Sequence, residues 1–332
     1  MKKIIFILSL LSSIFLFGCS PVPKKHSVAV FIPGICADSP TYAMLRDGVI
    51  RAIDDYNYGK ENDQKSLLYI LEAGTNQSEW PAKITALCAE QKYDVIISSN
   101  PSLPEIVTPI LEQFPNQKFI LLDAECSGNN NIATVCYNQY EQAYLTGYIA
   151  GLMSKSHRIG LITAQEYPVM NNIIAPYFEK GAKDAAPSTT MDFRVAGNWY
   201  DANKGAMLAD VLFQNGVDVI LPICGGASQG VINSAVNNNF YITWFDNNGF
   251  DKAPGNIISS TVMKQEELAQ LMTTEFLNGK TAWGTAKMLG VKDGYVDFIQ
   301  DDPLYESTVP ADVRGKMAQL VDDIQTGKTI IQ

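Results

Sequence analysis

The sequence predicts an α/β protein whose parallel strands are shared between two lobes. Two observations lead there. Short apolar runs recur at residues 28–32, 67–71, 95–98, 119–122, 159–163, 193–196, 217–221, 241–245 and 257–262, and read as buried strands. Between them, apolar residues repeat at three and four, as in Tyr144, Leu145, Tyr148, Ile149 and Leu152, or Leu268, Leu271, Met272 and Phe276. That is the pattern of helices with one buried face. Strands alternating with helices of ~10–15 residues make βαβ units and parallel sheet. Nine strands fit one sheet or two, and a change of pattern near Tyr137 to Tyr140 favours two lobes, each with its own sheet.

The first segment stands apart from this pattern. Lys2 and Lys3 precede an apolar run over 4–17, followed by Gly18, Cys19 and Ser20. The run is shorter than the ~20 residues that span a bilayer. A positive end, a short apolar stretch and a small residue before the cut describe a secretory signal peptide over 1–18. Leu16-Phe17-Gly18-Cys19 resembles a bacterial lipobox, which makes Cys19 the lipidated first residue. Residues 19–26 (CSPVPKKH) then read as a polar tether. An extracytoplasmic, lipid-anchored location follows, on the cytoplasmic membrane or on the periplasmic face of an outer membrane.

The 332 residues are 46% hydrophobic and 18% charged, a composition that supports a packed core. The net charge of −10 repels phosphate backbones, so nucleic acid is not an expected partner. Beyond Cys19 there remain Cys36, Cys88, Cys126, Cys136 and Cys224, an odd number whose pairing the sequence leaves open. There is no CxxC and the only histidines are His26 and His157, which argues against a Cys/His metal site.

In open parallel sheets ligands sit beyond the carboxyl ends of the strands. The loops there are 33–42, 99–103, 123–131, 164–170, 197–201, 222–229, 246–249 and 263–265. They hold small residues, amides, carboxylates and aromatics. Gly226-Ala227-Ser228-Gln229-Gly230 matches G-x-S-x-G between a strand and a helix, the setting of a hydrolase nucleophile. That chemistry needs a histidine after the serine, and none follows Ser228. The alternative is a glycine-rich turn whose backbone N–H groups face a ligand. No G-x-G-x-x-G follows the first strand and no GxxxxGK[ST] occurs, so no nucleotide cofactor is expected. Asp123 and Asp246 each end a strand and precede a polar loop, where a carboxylate either caps a helix or accepts two hydroxyls of a sugar or polyol. Trp199 and Tyr42 lie in loops of opposite halves and could sandwich a flat ring. Lys264 starts a helix against the dipole preference and could donate to a hydroxyl.

Taken together, VDVILPICGGASQGV (217–231), WFDNNG (244–249), SSTVMK (259–264), GKTAWGTAKMLG (279–290), YEQAYLTGYIAGLMS (140–154) and GNWYDANKG (197–205) resemble the basic membrane protein family. These are substrate-binding lipoproteins of ABC importers, PnrA-like for purine nucleosides and RfuA-like for riboflavin. The blocks occur in the family's order over about 28–300. The resemblance implies a two-lobed periplasmic-binding-protein fold of type I with ligand in the cleft, no enzymatic activity, and an ABC permease and ATPase as partners. It implies lobe one over 27–137 plus about 257–290, and lobe two over 138–256 plus about 291–332. It implies that Trp199 stacks on a ring, that Asp246 and Lys264 hold sugar hydroxyls, that Asp123 meets the polar edge of the base, and that Gly225 and Gly226 approach the ligand through backbone.

The first loop departs from the family's D-x-S-F-N. Asp38-Ser39-Pro40-Thr41-Tyr42 places Thr41 at the second stacking Phe and Tyr42 at the Asn. A Tyr42 and Trp199 pair is broader and more polar than two phenylalanines. The expected ligand is therefore riboflavin, with a purine nucleoside as the alternative.

Overall fold

The structure, a computed structural model, describes residues 25–331. The expected leader 1–18, the lipid-accepting Cys19 and the tether as far as residue 24 lie outside the described residues. The chain opens with β1 (Ser27–Ile32), α1 (Pro40–Asn57), β2 (Leu67–Glu72), α2 (Trp80–Ala89), β3 (Val95–Ser99), α3 (Leu103–Gln113), β4 (Phe119–Leu122) and β5 (Ile132–Tyr137). It crosses over with α4 (Gln139–Met153) and continues through β6 (Arg158–Thr163), α5 (Ala175–Ala185), β7 (Thr190–Val195), α6 (Ala202–Gln214), β8 (Val219–Ile223), α7 (Ser228–Asn238), β9 (Tyr241–Asp246) and β10 (Ile257–Met263). It returns with α8 (Gln265–Leu277) and β11 (Ala286–Leu289), then crosses again to β12 (Val296–Phe298), α9 (Pro303–Thr308) and α10 (Ala311–Gln325).

Two six-stranded sheets result, ordered β11-β5-β4-β3-β1-β2 and β12-β10-β9-β8-β6-β7. All pairs are parallel except β10 with β12. Strand β1 shows why the runs are apolar throughout. Val28, Val30 and Ile32 face one core while Ala29 and Phe31 face the other, so both sides of the strand are covered. The two-lobed α/β fold read from the sequence is thus the observed one.

The lobe boundaries differ from those expected. The sequence reading puts residues 257–263 in the first lobe, but β10 pairs with β9 and β12 in the second sheet. The return crossing falls after that strand, at Lys264. His26, expected in the tether, instead belongs to the fold. It is buried, its backbone N–H donates to Ser66 Oγ at 2.9 Å, and its ring packs edge-on against Tyr56 and Phe276. Strands β5, β11 and β12 are additional to the nine expected. Thr134 and Cys136 interrupt the apolar run of β5, and β11 and β12 are only four and three residues long.

The chain passes between the sheets three times, at Asn138, at Lys264 and between Leu289 and Val296. The strands beside these crossings are β5 and β11 in one sheet and β10 and β12 in the other. At the second crossing Gln265, fully buried, donates to Ser99 Oγ at 2.7 Å and accepts from the Tyr137 hydroxyl at 2.5 Å. At the third, Glu141 Oε2 accepts from Val291 N–H at 2.7 Å.

Candidate functional site

The parallel strands direct their carboxyl ends to one side of each sheet, and the loops there carry the expected site residues. After β1, Ser39 caps α1 by accepting from Tyr42 N–H at 3.4 Å, with Pro40 in the first turn. This puts Tyr42 at the start of the helix. Its ring lies on Gly34, where a Cβ would stand 2.7 Å from Tyr42 Cε2, so only glycine leaves room for it. The Tyr42 hydroxyl accepts from Asn100 Nδ2 at 3.3 Å, in the loop after β3. Burial pushes the phenol up to about 12; Asn100 opposes that shift, and Asp123 and Tyr200 add to it. Tyr42 thus stands near a carboxylate of its own sheet and a tyrosine that follows β7 of the other.

Asp123 follows β4 directly and Asp246 is the last residue of β9. Both take a left-handed backbone, at φ 50° and 73°, which is costly for a residue with a Cβ and is tolerated best by Asp and Asn. One turn of α4 holds both. Gln139 Nε2 donates to Asp123 Oδ1 at 3.0 Å, and Gln142 Nε2 donates to Asp246 Oδ1 at 3.1 Å. Burial, then the charge of Asp246, pushes Asp123 up to about 8. Burial pushes Asp246 up to about 6, against the lowering effect of the Gln142 bond. The two carboxylates, one from each sheet, therefore act on one another. Both also act on Tyr137 and on Tyr167 of the loop after β6.

After β7, the Trp199 carbonyl accepts from Ala227 N–H at 3.3 Å and the ring lies over Gly225. A Cβ at Gly225 would come within 2.9 Å of the Trp199 carbonyl oxygen and 3.3 Å of ring atom Cε3, and the residue's φ is 57°. Gly225 and Gly226 are exposed and form the turn into α7. Tyr200, beside Trp199, is also exposed.

Asp123 is brought near both Tyr42 and Asp246, and Trp199 is brought together with Gly225 and Gly226. Lys264 Nζ lies 3.4 Å from Asp297 Oδ2 on β12. Ser228 is no nucleophile in this arrangement. Its hydroxyl is buried at 3% exposure, 3.4 Å from Cys224 N and 3.3 Å from Cys224 Sγ. His157 and His26 precede β6 and β1, so both sit at the amino ends of their strands, a strand length of ~20 Å from the loops that contain Ser228. Among the described residues no group of three or more His, Cys, Asp or Glu could hold a metal ion, and Cys36, Cys88, Cys126, Cys136 and Cys224 are free thiols. No described helix is long and apolar enough to cross a membrane.

Sequence reasoning missed Asn100, Gln139, Gln142 and Tyr167 as members of the site. Asn100 and Tyr167 lie in strand-following loops already singled out. The glutamines sit on a helix and carried no signal of their own.

Residues 25–329 match the Bmp family, described as ABC transporter substrate-binding protein PnrA-like. The chain belongs to this family. It is 23% identical over 293 residues to the ABC transporter nucleoside-binding protein BmpA of Lactococcus lactis subsp. cremoris, across 83% of this chain and 81% of that protein. It is 25% identical over 182 residues to the CD4+ T-cell-stimulating antigen of Listeria monocytogenes; this match spans 54% of the chain and only half (50%) of the relative's length. Among solved structures, an ABC transporter solute-binding protein of Aeropyrum pernix K1 superposes with a TM-score of 0.76 over 93% of this chain and 94% of that chain, at 17% identity. The Bmp chain thus has the type I periplasmic solute-binding fold.

Proposed function

We propose that this Bmp-family protein is the substrate-binding component of an ABC importer and that its ligand is a purine nucleoside. The observation that carries the reading is the pair Asp123 and Asp246, one from each sheet, held beside aromatic side chains at the carboxyl ends of the strands. A ligand that brings donors favours the ionised form of both carboxylates, which then only accept hydrogen bonds. A 6-oxopurine offers ring N–H, and in guanine an adjacent amino group that suits one carboxylate in a two-pronged contact. Its ribose offers two neighbouring hydroxyls for the other. Trp199 supplies a stacking face, and the nucleoside-binding name of the Lactococcus relative supports the same reading. Lys264 reaches a sugar hydroxyl in this proposal by leaving Asp297.

Riboflavin is the second reading, favoured by Tyr42 where a smaller amide would leave less aromatic surface. Its flavin edge sets two carbonyl acceptors around a single N–H, which pairs less well with carboxylates. In either case the protein binds its ligand without chemical change and passes it to permease and ATPase subunits. Lipid on Cys19 would hold it at the membrane outside the cytoplasm.

Calorimetry on the chain without residues 1–19 tests the reading. One-to-one binding of guanosine or inosine, lost in Asp246→Ala, supports the nucleoside. A yellow protein with flavin absorbance supports riboflavin. Flat titrations with both classes overturn the proposal.

A further inference from the structure

Gln142 is fully buried, although glutamine is among the residues least often found there. Both its amide protons are used, one on Asp246 Oδ1 at 3.1 Å and one on the Thr261 carbonyl at 3.2 Å. That fixes the amide orientation and turns Oε1 away from both partners. Gln142 Oε1 is buried without a hydrogen-bond partner, and so is Gln139 Oε1, three residues earlier. Residues three apart share a helix face, so the two amides lie side by side on the first turn of α4. An orphaned buried acceptor costs free energy until a donor reaches it. Together with the two carboxylates they give this turn four acceptor groups, while both amide protons of Gln142 are already engaged.

We propose that Gln139 and Gln142 are positioning residues that lock the carboxylates of both sheets as acceptors on one helical turn, so that the cleft selects ligands bringing N–H or O–H donors at both ends. This rests on the substrate-binding reading above. Because both glutamines belong to one rigid turn, Asp123 and Asp246 hold a fixed spacing even though they come from different sheets. A ligand that meets one carboxylate meets the other at a preset distance. The titratable groups in electrostatic contact with the two carboxylates are each other, Tyr42 from α1, Cys136 and Tyr137 from β5 and Tyr167 after β6, while Lys264 after β10 pairs with Asp297. Loss of the Gln142 amide therefore leaves Asp246 with no compensating donor, and its titration moves upward.

The test uses Gln142→Met, which keeps length and removes both amide groups, and Gln142→Glu. Side-chain carboxyl carbon NMR follows Asp246 in the unliganded protein, and calorimetry follows guanosine and inosine between pH 5.5 and 8.5. In Gln142→Met, Asp246 should titrate at least one pH unit higher and nucleoside affinity at pH 7 should fall at least tenfold. In Gln142→Glu, binding should be retained best at the acid end, where the introduced carboxyl is protonated and still donates, and be lost as that proton leaves. A merely structural glutamine would give two variants with the same pH profile as the wild type. Unchanged Asp246 titration in Gln142→Met, or wild-type pH dependence in both variants, overturns the proposal. Should the wild type bind neither nucleosides nor flavins, the ligand reading fails, and the NMR arm still decides the role of Gln142. Should Gln142→Met not fold, Gln142→Glu carries the same comparison.

Discussion

The Tyr137 hydroxyl donates to Gln265 Oε1 at 2.5 Å and so joins the end of β5 to the start of α8, where the chain changes sheets. Both side chains are buried. Tyr137→Phe leaves the Gln265 carbonyl oxygen without its donor in a place water does not reach. The expected loss is about 1–3 kcal/mol of stability, read as a lower urea midpoint at unchanged slope. Tyr137→Phe at wild-type stability would show that this bond contributes nothing.

Asp123 makes the stability of the empty protein depend on pH. Its folded pKa of about 8 lies above the ~3.9 of an unfolded chain. The folded state therefore holds the extra proton between those values, and unfolding stability falls as pH rises through that window. The contribution of Asp123 is complete below pH of about 4 and is lost as pH passes about 8. Asp246, at about 6, adds the same slope over the lower part. Thermal melts of the unliganded protein should show a lower Tm at pH 8 than at pH 5, and Asp123→Asn should flatten the profile and raise the Tm at pH 8.

The same shift links ligand to proton. A donor on the ligand favours the charged form of Asp123, so binding near pH 7 should release a proton. Calorimetry in two buffers of different ionisation enthalpy measures that release directly, and affinity should rise between pH 6 and pH 8. A buffer-independent binding enthalpy would rule out this coupling.

Trp199→Ala removes the indole from the loop after β7 and should weaken binding of a flat ligand at least tenfold, since stacking adds about 0.5–1.5 kcal/mol beyond the area buried. Gly225→Ala should act in the same direction by a different route. Its Cβ would press on the Trp199 carbonyl and its φ of 57° disfavours any side chain, so the ring platform shifts. Calorimetry reads both variants, and quenching of tryptophan fluorescence by ligand should weaken in each.

Helices α4 and α5 touch backbone to backbone through small residues. A Cβ at Gly147 would stand 1.9 Å from the Phe178 carbonyl oxygen, and one at Gly181 would stand 2.2 Å from that of Tyr144. Gly147→Ala forces the helices apart and should cost about 1–3 kcal/mol, measured by thermal or urea unfolding.

Much of the fold was legible because a strand covered on both faces leaves a continuous apolar run, as in β1 and β4. Strand β5 was hidden because Thr134 and Cys136 place polar or weakly apolar groups in it, Thr134 pairing with the Cys126 backbone of the preceding loop and Cys136 with the Lys287 carbonyl of β11. The sheet membership of β10 was illegible because the neighbour of a strand is a long-range fact that its own residues do not encode. In the site, strand-terminal Asp123 and Asp246 were visible because a carboxylate after an apolar run is out of place. Gln139 and Gln142 were not, because a polar residue in the first turn of a helix looks like any solvated one until the partner from another strand is known.

All three crossings join the same edge of one sheet to the same edge of the other, which makes that edge the spine of a book. Swinging the covers moves material near the spine least and the far margins most. Asp123 follows β4 and Asp246 ends β9, each the third strand from the spine, while Tyr42, Tyr167 and Tyr200 follow β1, β6 and β7 toward the fore-edge. Any rotation about that spine would therefore displace the aromatic pages farther than the acidic grip.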